Sequence, residues 1–142
     1  PLSGDQEISE SAESICRLVE RERERGIPSD RITLAGFSQG GVIALQVGLG
    51  FDERLAGIMA LSTYVHDHER LVDRVSFANI DVPIFMAHGI SDPMIPITRA
   101  ITSREALLTL NYSVQWHEYG MGHQVCPEEI NDISAWLNSI YP

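Results

Sequence analysis

The sequence predicts an α/β fold, a mostly parallel sheet with helices on both of its faces. Two observations carry that expectation. Segments with apolar residues at three- and four-residue spacing take turns along the chain with short apolar or alternating segments, the signature of helices interleaved with strands. Three reactive side chains, Ser38, Asp92 and His123, each fall just past a segment that reads as a strand. In parallel sheets, chemistry gathers beyond the C-terminal ends of the strands. The chain has 142 residues, 44% hydrophobic and 21% charged, enough to build one domain over residues 1–142 with a sizeable core.

From Gln6 to Arg25, Ile8, Ala12, Ile15, Cys16 and Val19 define the buried stripe of an amphipathic helix. Its tail, Glu20-Arg21-Glu22-Arg23-Glu24-Arg25, reads as a solvated face with mixed-charge neighbours. Gly26 and Pro28 stop it. Ile32 to Phe37 reads as a short buried strand, and a helix from Gln39 to Gly48 follows almost without a loop. Ala56–Leu61 and Val82–Ala87 are two further apolar strands. Ile97 to Leu110 has helical spacing, with Ile97, Ile101, Leu107 and Leu110 as expected core contacts. Ser113 to Tyr119 alternates as a strand does. Pro127 then opens a last helix through Ile130, Ile133, Trp136, Leu137 and Ile140, since proline suits a first helical turn.

The formal charge is −10, which gives no cationic field for phosphate backbones, so nucleic acid is excluded as an expected partner. No run approaches the roughly 18 apolar residues of a membrane-spanning helix. Pro1 to Asp5 show no basic-then-apolar leader, although a start without methionine suggests a natural N-terminus upstream. Cys16 and Cys126 form no metal or disulfide pattern, and two reduced thiols fit a cytoplasmic protein.

Gly36-Phe37-Ser38-Gln39-Gly40 matches G-x-S-x-G at a strand-to-helix junction, the setting a nucleophile elbow requires. Such a turn is so tight that side chains at Gly36 and Gly40 are expected to collide. A glycine-rich turn with Ser38 as a helix cap is the plainer reading. A serine nucleophile needs an adjacent base, and five histidines are available. His66 and His68 sit in a polar stretch that reads as a solvent-exposed loop, with no third ligand for a metal. His88 ends a strand and reads as a structural hydrogen-bonding residue, and His117 lies within a strand. His123 alone leaves its strand through a glycine-flanked loop, Gly120-Met121-Gly122. Asp92, in His88-Gly89-Ile90-Ser91-Asp92-Pro93, is either turn chemistry or the carboxylate that orients the imidazole. The chain order Ser, Asp, His is that of α/β-hydrolases.

Gly36 to Gly41, His88-Gly89 with Asp92 and Ile95-Pro96, and Gly122-His123 with Cys126-Pro127-Glu128-Glu129-Ile130 together resemble the bacterial carboxylesterase and acyl-protein thioesterase family. Gly26 to Ile32 and Leu55 to Ser62 are similar to that family too. The resemblance implies an α/β-hydrolase fold and a cofactor-free serine esterase with Ser38, His123 and Asp92 as its triad. The substrates it implies are short- to medium-chain acyl esters, extending to thioesters or lysophospholipids. It also implies an oxyanion hole, of which only the Gln39 backbone N–H is assignable here. Family members begin with further strands and an early His-Gly motif that supplies a second donor, and nothing here matches them. The nucleophile strand is therefore expected to lack its neighbour and to pair with another chain, either the missing segment as a separate polypeptide or a second copy in a homodimer.

Tyr64, Val65, Met94 and Ile95 follow strand ends and are expected to line an apolar acyl pocket. Two other readings stay open: a related serine peptidase, and a non-catalytic or assembly-dependent fragment whose triad is unsupported.

Overall fold

The computed structural model describes residues 4–142; Pro1 to Ser3, part of the stretch inspected for a leader, lie outside the described residues. The elements are α1 (Gly4–Glu24), β1 (Thr33–Phe37), α2 (Gln39–Gly50), β2 (Gly57–Leu61), β3 (Ile84–Gly89), α3 (Ile97–Thr109), β4 (Val114–Tyr119) and α4 (Pro127–Ile140). Short 3₁₀ turns lie at Ser29–Arg31, His68–Asp73 and Phe77–Asn79. The expected helices and strands are all present, with ends displaced by one or two residues. The four strands are parallel, in the order β1-β2-β3-β4.

Period-two alternation sorts the central strands onto two cores. Ile58, Ala60, Ile84 and Met86 face one layer with Val42, Leu45 and Leu49 of α2 and Ile8 and Val19 of α1. Met59, Leu61, Phe85 and Ala87 face the other, against Trp136 of α4. β2 and β3 are buried along their whole length, as strands covered on both faces must be. The end of α1 is closed by two hydrogen bonds, Gly26 N–H to Arg23 O (2.9 Å) and Ile27 N–H to Glu22 O (3.0 Å), the Schellman arrangement. On its surface Glu20 pairs with Arg23 and Glu22 with Arg25, the mixed-charge face expected there.

Four local expectations are corrected. β1 is not a buried strand: Ala35 and Phe37 are exposed, because β1 pairs only with β2 and forms an edge of the described sheet. An open apolar groove of ≈ 540 Å³, lined by Ile15, Leu18, Ile32, Leu34 and Ile43 among others, runs along that edge beneath α1. In α3 the buried positions are Ala100, Ser103 and Leu107, while Ile97 and Ile101 are half-exposed. The Ser103 hydroxyl there accepts the Val65 N–H at 2.8 Å, which fixes the helix's rotation. In α4, Glu129 is buried and Ile130 is 53% exposed. The stretch His66 to Arg70 is mostly exposed, as expected, but it is not a plain loop: His68–Asp73 forms a 3₁₀ turn, and His66 Nε2 lies 2.6 Å from Asp5 Oδ1.

Leu107, fully buried, therefore carries more of the α3 contact than Ile101. Leu107→Ala is expected to lower stability by about 2–5 kcal/mol and Ile101→Ala by clearly less. Urea midpoints of the two variants measure this, and equal losses would show the wrong face has been assigned to the core.

Candidate active site

Ser38 sits between β1 and α2 at φ 57°, ψ −121°, a conformation sparsely populated by residues with a side chain. Its surroundings hold it there. The Ser38 N–H continues the ladder to Leu61 O at 2.8 Å, and its carbonyl accepts from Gly41 N–H (2.9 Å) and Val42 N–H (3.2 Å). The Thr63 hydroxyl donates to the same carbonyl at 2.7 Å. A methyl group at Gly36 would lie 2.1 Å from the Gly40 carbonyl carbon and oxygen, so β1 and α2 approach each other only because position 36 is glycine. The same argument does not hold at Gly40, where an added Cβ meets nothing within 4 Å. The second crowded glycine is Gly41, whose added Cβ would lie 2.6 Å from Thr63 Cγ2.

The loops that follow β3 and β4 bring the other two residues over the end of the sheet. Ile90 N–H donates to Tyr119 O (2.9 Å) and Ser91 N–H to Met121 O (3.0 Å), so the two loops are joined by their backbones. His123 Nδ1 lies 2.7 Å from Asp92 Oδ2, and its Nε2 lies 3.0 Å from Ser38 Oγ. A carboxylate only accepts, so Nδ1 carries the proton and Nε2 offers its lone pair to the serine hydroxyl. The Phe37 ring packs against the imidazole with centroids 4.8 Å apart.

Asp92 is 6% exposed, and its Oδ1 accepts the Met94 and Ile95 N–H groups at 2.8 and 2.9 Å. Burial on its own would raise the carboxyl. The Ile95 N–H, the His123 hydrogen bond and the Met94 N–H together outweigh it, and Asp92 lies below the ordinary carboxylate range. Its ionised form is thus built into the loop.

The other residues named from the sequence are placed differently. Met94 and Ile95 bond Asp92 through their backbone N–H groups; the Met94 side chain is 69% exposed. Val65 is buried in the core beside Leu45 and Leu71, and its N–H is tied to the Ser103 hydroxyl in α3. Tyr64 is half-buried with the Arg99 guanidinium 3.5 Å from its ring centre. Gln39 opens α2, where the first N–H groups have no partner within the helix. His117 stacks on Phe85, and His88 is buried with Nε2 2.8 Å from Ile95 O. Among the described residues no group of three or more His, Cys, Asp or Glu is arranged to hold a metal ion. No described helix is long and apolar enough to cross a membrane.

A parallel sheet with a strained serine turn after one strand, and Asp and His on the loops of two later strands, is the α/β-hydrolase arrangement. The Arabidopsis thaliana SOBER1 crystal structure superposes on all of this chain and 68% of its own with a TM-score of 0.91 at 21% identity, a likeness of fold. The sequence matches the phospholipase/carboxylesterase family over residues 2–141. It is 40% identical over 128 residues to acyl-protein thioesterase 1 of Gibberella zeae, covering 88% of this chain and 54% of that one. The Neurospora crassa protein of the same name is 41% identical over 129 residues, covering 88% and 52%. The chain belongs to the phospholipase/carboxylesterase family of hydrolases, and it spans about half the length of these two fungal relatives.

One buried group was not legible as special in the sequence. Glu129, in the first turn of α4, is fully buried, and neither carboxylate oxygen has a hydrogen-bond partner among the described residues. Burial pushes its carboxyl above the ordinary range, and the nearby Cys126 N–H offsets only part of that. Cys-Pro-Glu-Glu has the N-cap-to-third-residue spacing of a capping box, the one signal that pointed inward. Because the folded state holds this proton more tightly than the unfolded chain, the associated stability is complete at acidic pH. It is lost as pH rises through the raised value. The stability difference between wild type and Glu129→Gln is therefore expected to move against the wild type as pH rises above the ordinary carboxylate range. Urea midpoints across that rise check this, and a difference independent of pH would contradict it.

Proposed function

We propose that this chain is the triad-bearing part of a serine esterase that hydrolyses short- to medium-chain acyl esters, thioesters and lysophospholipids being the neighbouring substrates. The observation that carries this reading is the continuous relay Ser38 Oγ–His123 Nε2 (3.0 Å) and His123 Nδ1–Asp92 Oδ2 (2.7 Å). Ser38 attacks the acyl carbonyl while His123 takes its proton; Asp92 stabilises the imidazolium, and His123 returns the proton to the leaving group. Water then releases the acyl group from Ser38 by the same steps. The Gln39 N–H, at the positive end of α2, is the donor we assign to the tetrahedral oxyanion. These steps use protein groups and water, with no cofactor. The names of the fungal relatives favour thioesters within the substrate range. Two free, half-buried cysteines support the cytoplasmic reading.

The free edge of β1 supports a second, assembly-dependent reading. Ala35 and Phe37 are exposed there, the apolar groove follows that edge, and Gly40 lines it. Gly40, the second residue of α2, has nothing within 4 Å of its missing side chain. Close approach of another backbone explains that choice. We infer that the edge is covered in the working enzyme by a further strand. The second oxyanion donor then comes from the covering segment.

Incubation with a fluorophosphonate followed by intact-mass measurement tests the first reading. One adduct is expected on the wild type and none on Ser38→Ala. Asp92→Asn is expected to slow labelling by on the order of 10⁴-fold; equal labelling of Ser38→Ala would end the assignment. Native chromatography tests the second: association is expected, and a folded, labelled monomer of this chain alone would remove the need for a covering strand.

A further inference from the structure

We propose that His88 is a positioning residue for Asp92, acting as a neutral imidazole protonated on Nε2 that locks the Asp92 turn from the inside. The consequence for rate rests on the serine-hydrolase reading; the tautomer and the hydrogen bond do not.

β3 is apolar from Ile84 to Ala87 and then places an imidazole, 1% exposed, at its end. A side chain that merely filled this space would be apolar, since burying an imidazole without a partner costs free energy. The partner is specific. His88 Nε2 lies 2.8 Å from the Ile95 carbonyl oxygen, and a carbonyl only accepts, so the proton is on Nε2.

The Ile95 residue is thereby held at both of its backbone groups. Its N–H donates to Asp92 Oδ1 at 2.9 Å, and its carbonyl is taken by a ring anchored in β3. On the other side of the turn the side chains of Pro93, Met94 and Pro96 face solvent. Asp92 N–H donates to Gly89 O at 3.2 Å, which fixes the near end of the turn. His88 ties its far end directly to β3, and α3 begins two residues after Ile95. Without that tie, the Ile95 carbonyl would lose its hydrogen bond to β3, and Asp92 Oδ1 and the start of α3 would hold this end while Oδ2 aims at His123.

Charge on His88 would undo the arrangement. Its Nε2 is 3.6 Å from Asp92 Oδ2, outside hydrogen-bond range but well within electrostatic reach. A cationic His88 would therefore compete with His123 for the same oxygen. The ring donates its Nε2–H to a carbonyl and leaves Oδ2 to His123 at 2.7 Å.

Nitrogen-15 NMR of the histidine side chains is the direct test. At neutral pH His88 is expected as the Nε2–H tautomer, and a downfield proton is expected from the His123–Asp92 hydrogen bond. His88→Phe keeps the ring shape without the donor; His88→Gln places an amide donor at similar reach. In His88→Phe the downfield proton is expected to weaken. Fluorophosphonate labelling is expected to slow by about 10²-fold, the usual cost of a misplacement near 1 Å, with the acid limb of its pH profile displaced. His88→Gln is expected to recover most of both. A cationic or Nδ1–H His88 in the wild type overturns the proposal. So does a folded His88→Phe with the downfield proton, labelling rate and pH profile unchanged. If His88→Phe does not fold, the wild-type tautomer and His88→Gln decide. If the wild type is not labelled at all, the hydrolase reading fails, while the two NMR signatures still judge His88.

Discussion

The loops after β3 and β4 are pressed together so tightly that a methyl group at Gly89 would sit 2.3 Å from the Gly122 carbonyl oxygen. This contact is the constraint on which the site depends. β1 and β4 lie at opposite edges of the sheet, so about 14 Å of strand spacing separates the element that carries Ser38 from the one that carries His123. A histidine on a free loop would cover that distance in many ways. Here two backbone hydrogen bonds, from Ile90 to Tyr119 and from Ser91 to Met121, seat the β4 loop on the β3 loop. The imidazole then leaves from a fixed point partway across the sheet. His-Gly at the end of β3 thus serves packing as much as chemistry: the glycine lets the loops touch, and the histidine braces the turn beyond.

Ser38 presents the complementary problem, since its strained turn hangs on an edge strand with one neighbour. Backbone strain of this type costs about 1–3 kcal/mol and persists only where surroundings over-determine it. Three donors converge on the Ser38 carbonyl, and its N–H is taken by Leu61. All of these come from β2, from Thr63 beyond it, or from α2. The turn is therefore supported from the interior side alone, while the groove side stays open. That asymmetry explains why Gly36 and Gly41 are sterically required and Gly40 is not.

Much of this was legible in the sequence because it depends on period and punctuation. Alternation in β2 and β3 separates two cores, and Gly26 and Pro127 mark helix ends where chain geometry demands them. Helix rotation was harder to read. In α3 the small residues Ala100 and Ser103 take the inward face, because Ser103 bonds the Val65 backbone, and spacing of large apolar residues does not register such a contact. In α4 Glu129 displaces Ile130 from the interior, against every hydropathy rule. The pairing of Ser38, Asp92 and His123 was suggested by residue type and chain order. Nothing in one dimension says that Met94 and Ile95 meet Asp92 through backbone rather than through side chains.

Asp92 and Glu129 show how environment decides the charge of a buried carboxyl. Both are almost wholly buried. Asp92 has both oxygens engaged, by two N–H groups and by an imidazole, so the anion is favoured despite desolvation. Glu129 has neither oxygen engaged among the described residues and retains its proton more readily. An anion in the first turn of α4 gains only about 0.3–1 kcal/mol from the helix dipole at an exposed site, whereas burying an unpaired charge costs several. Desolvation wins at Glu129 and hydrogen bonding wins at Asp92. The carboxyl that opens the helix after the His123 loop is thus pushed toward neutrality, and the one bonded to the imidazole is held as the anion. The field that orients and charges His123 accordingly has one principal source, the Asp92 turn, and any shift of that turn passes directly to the imidazole.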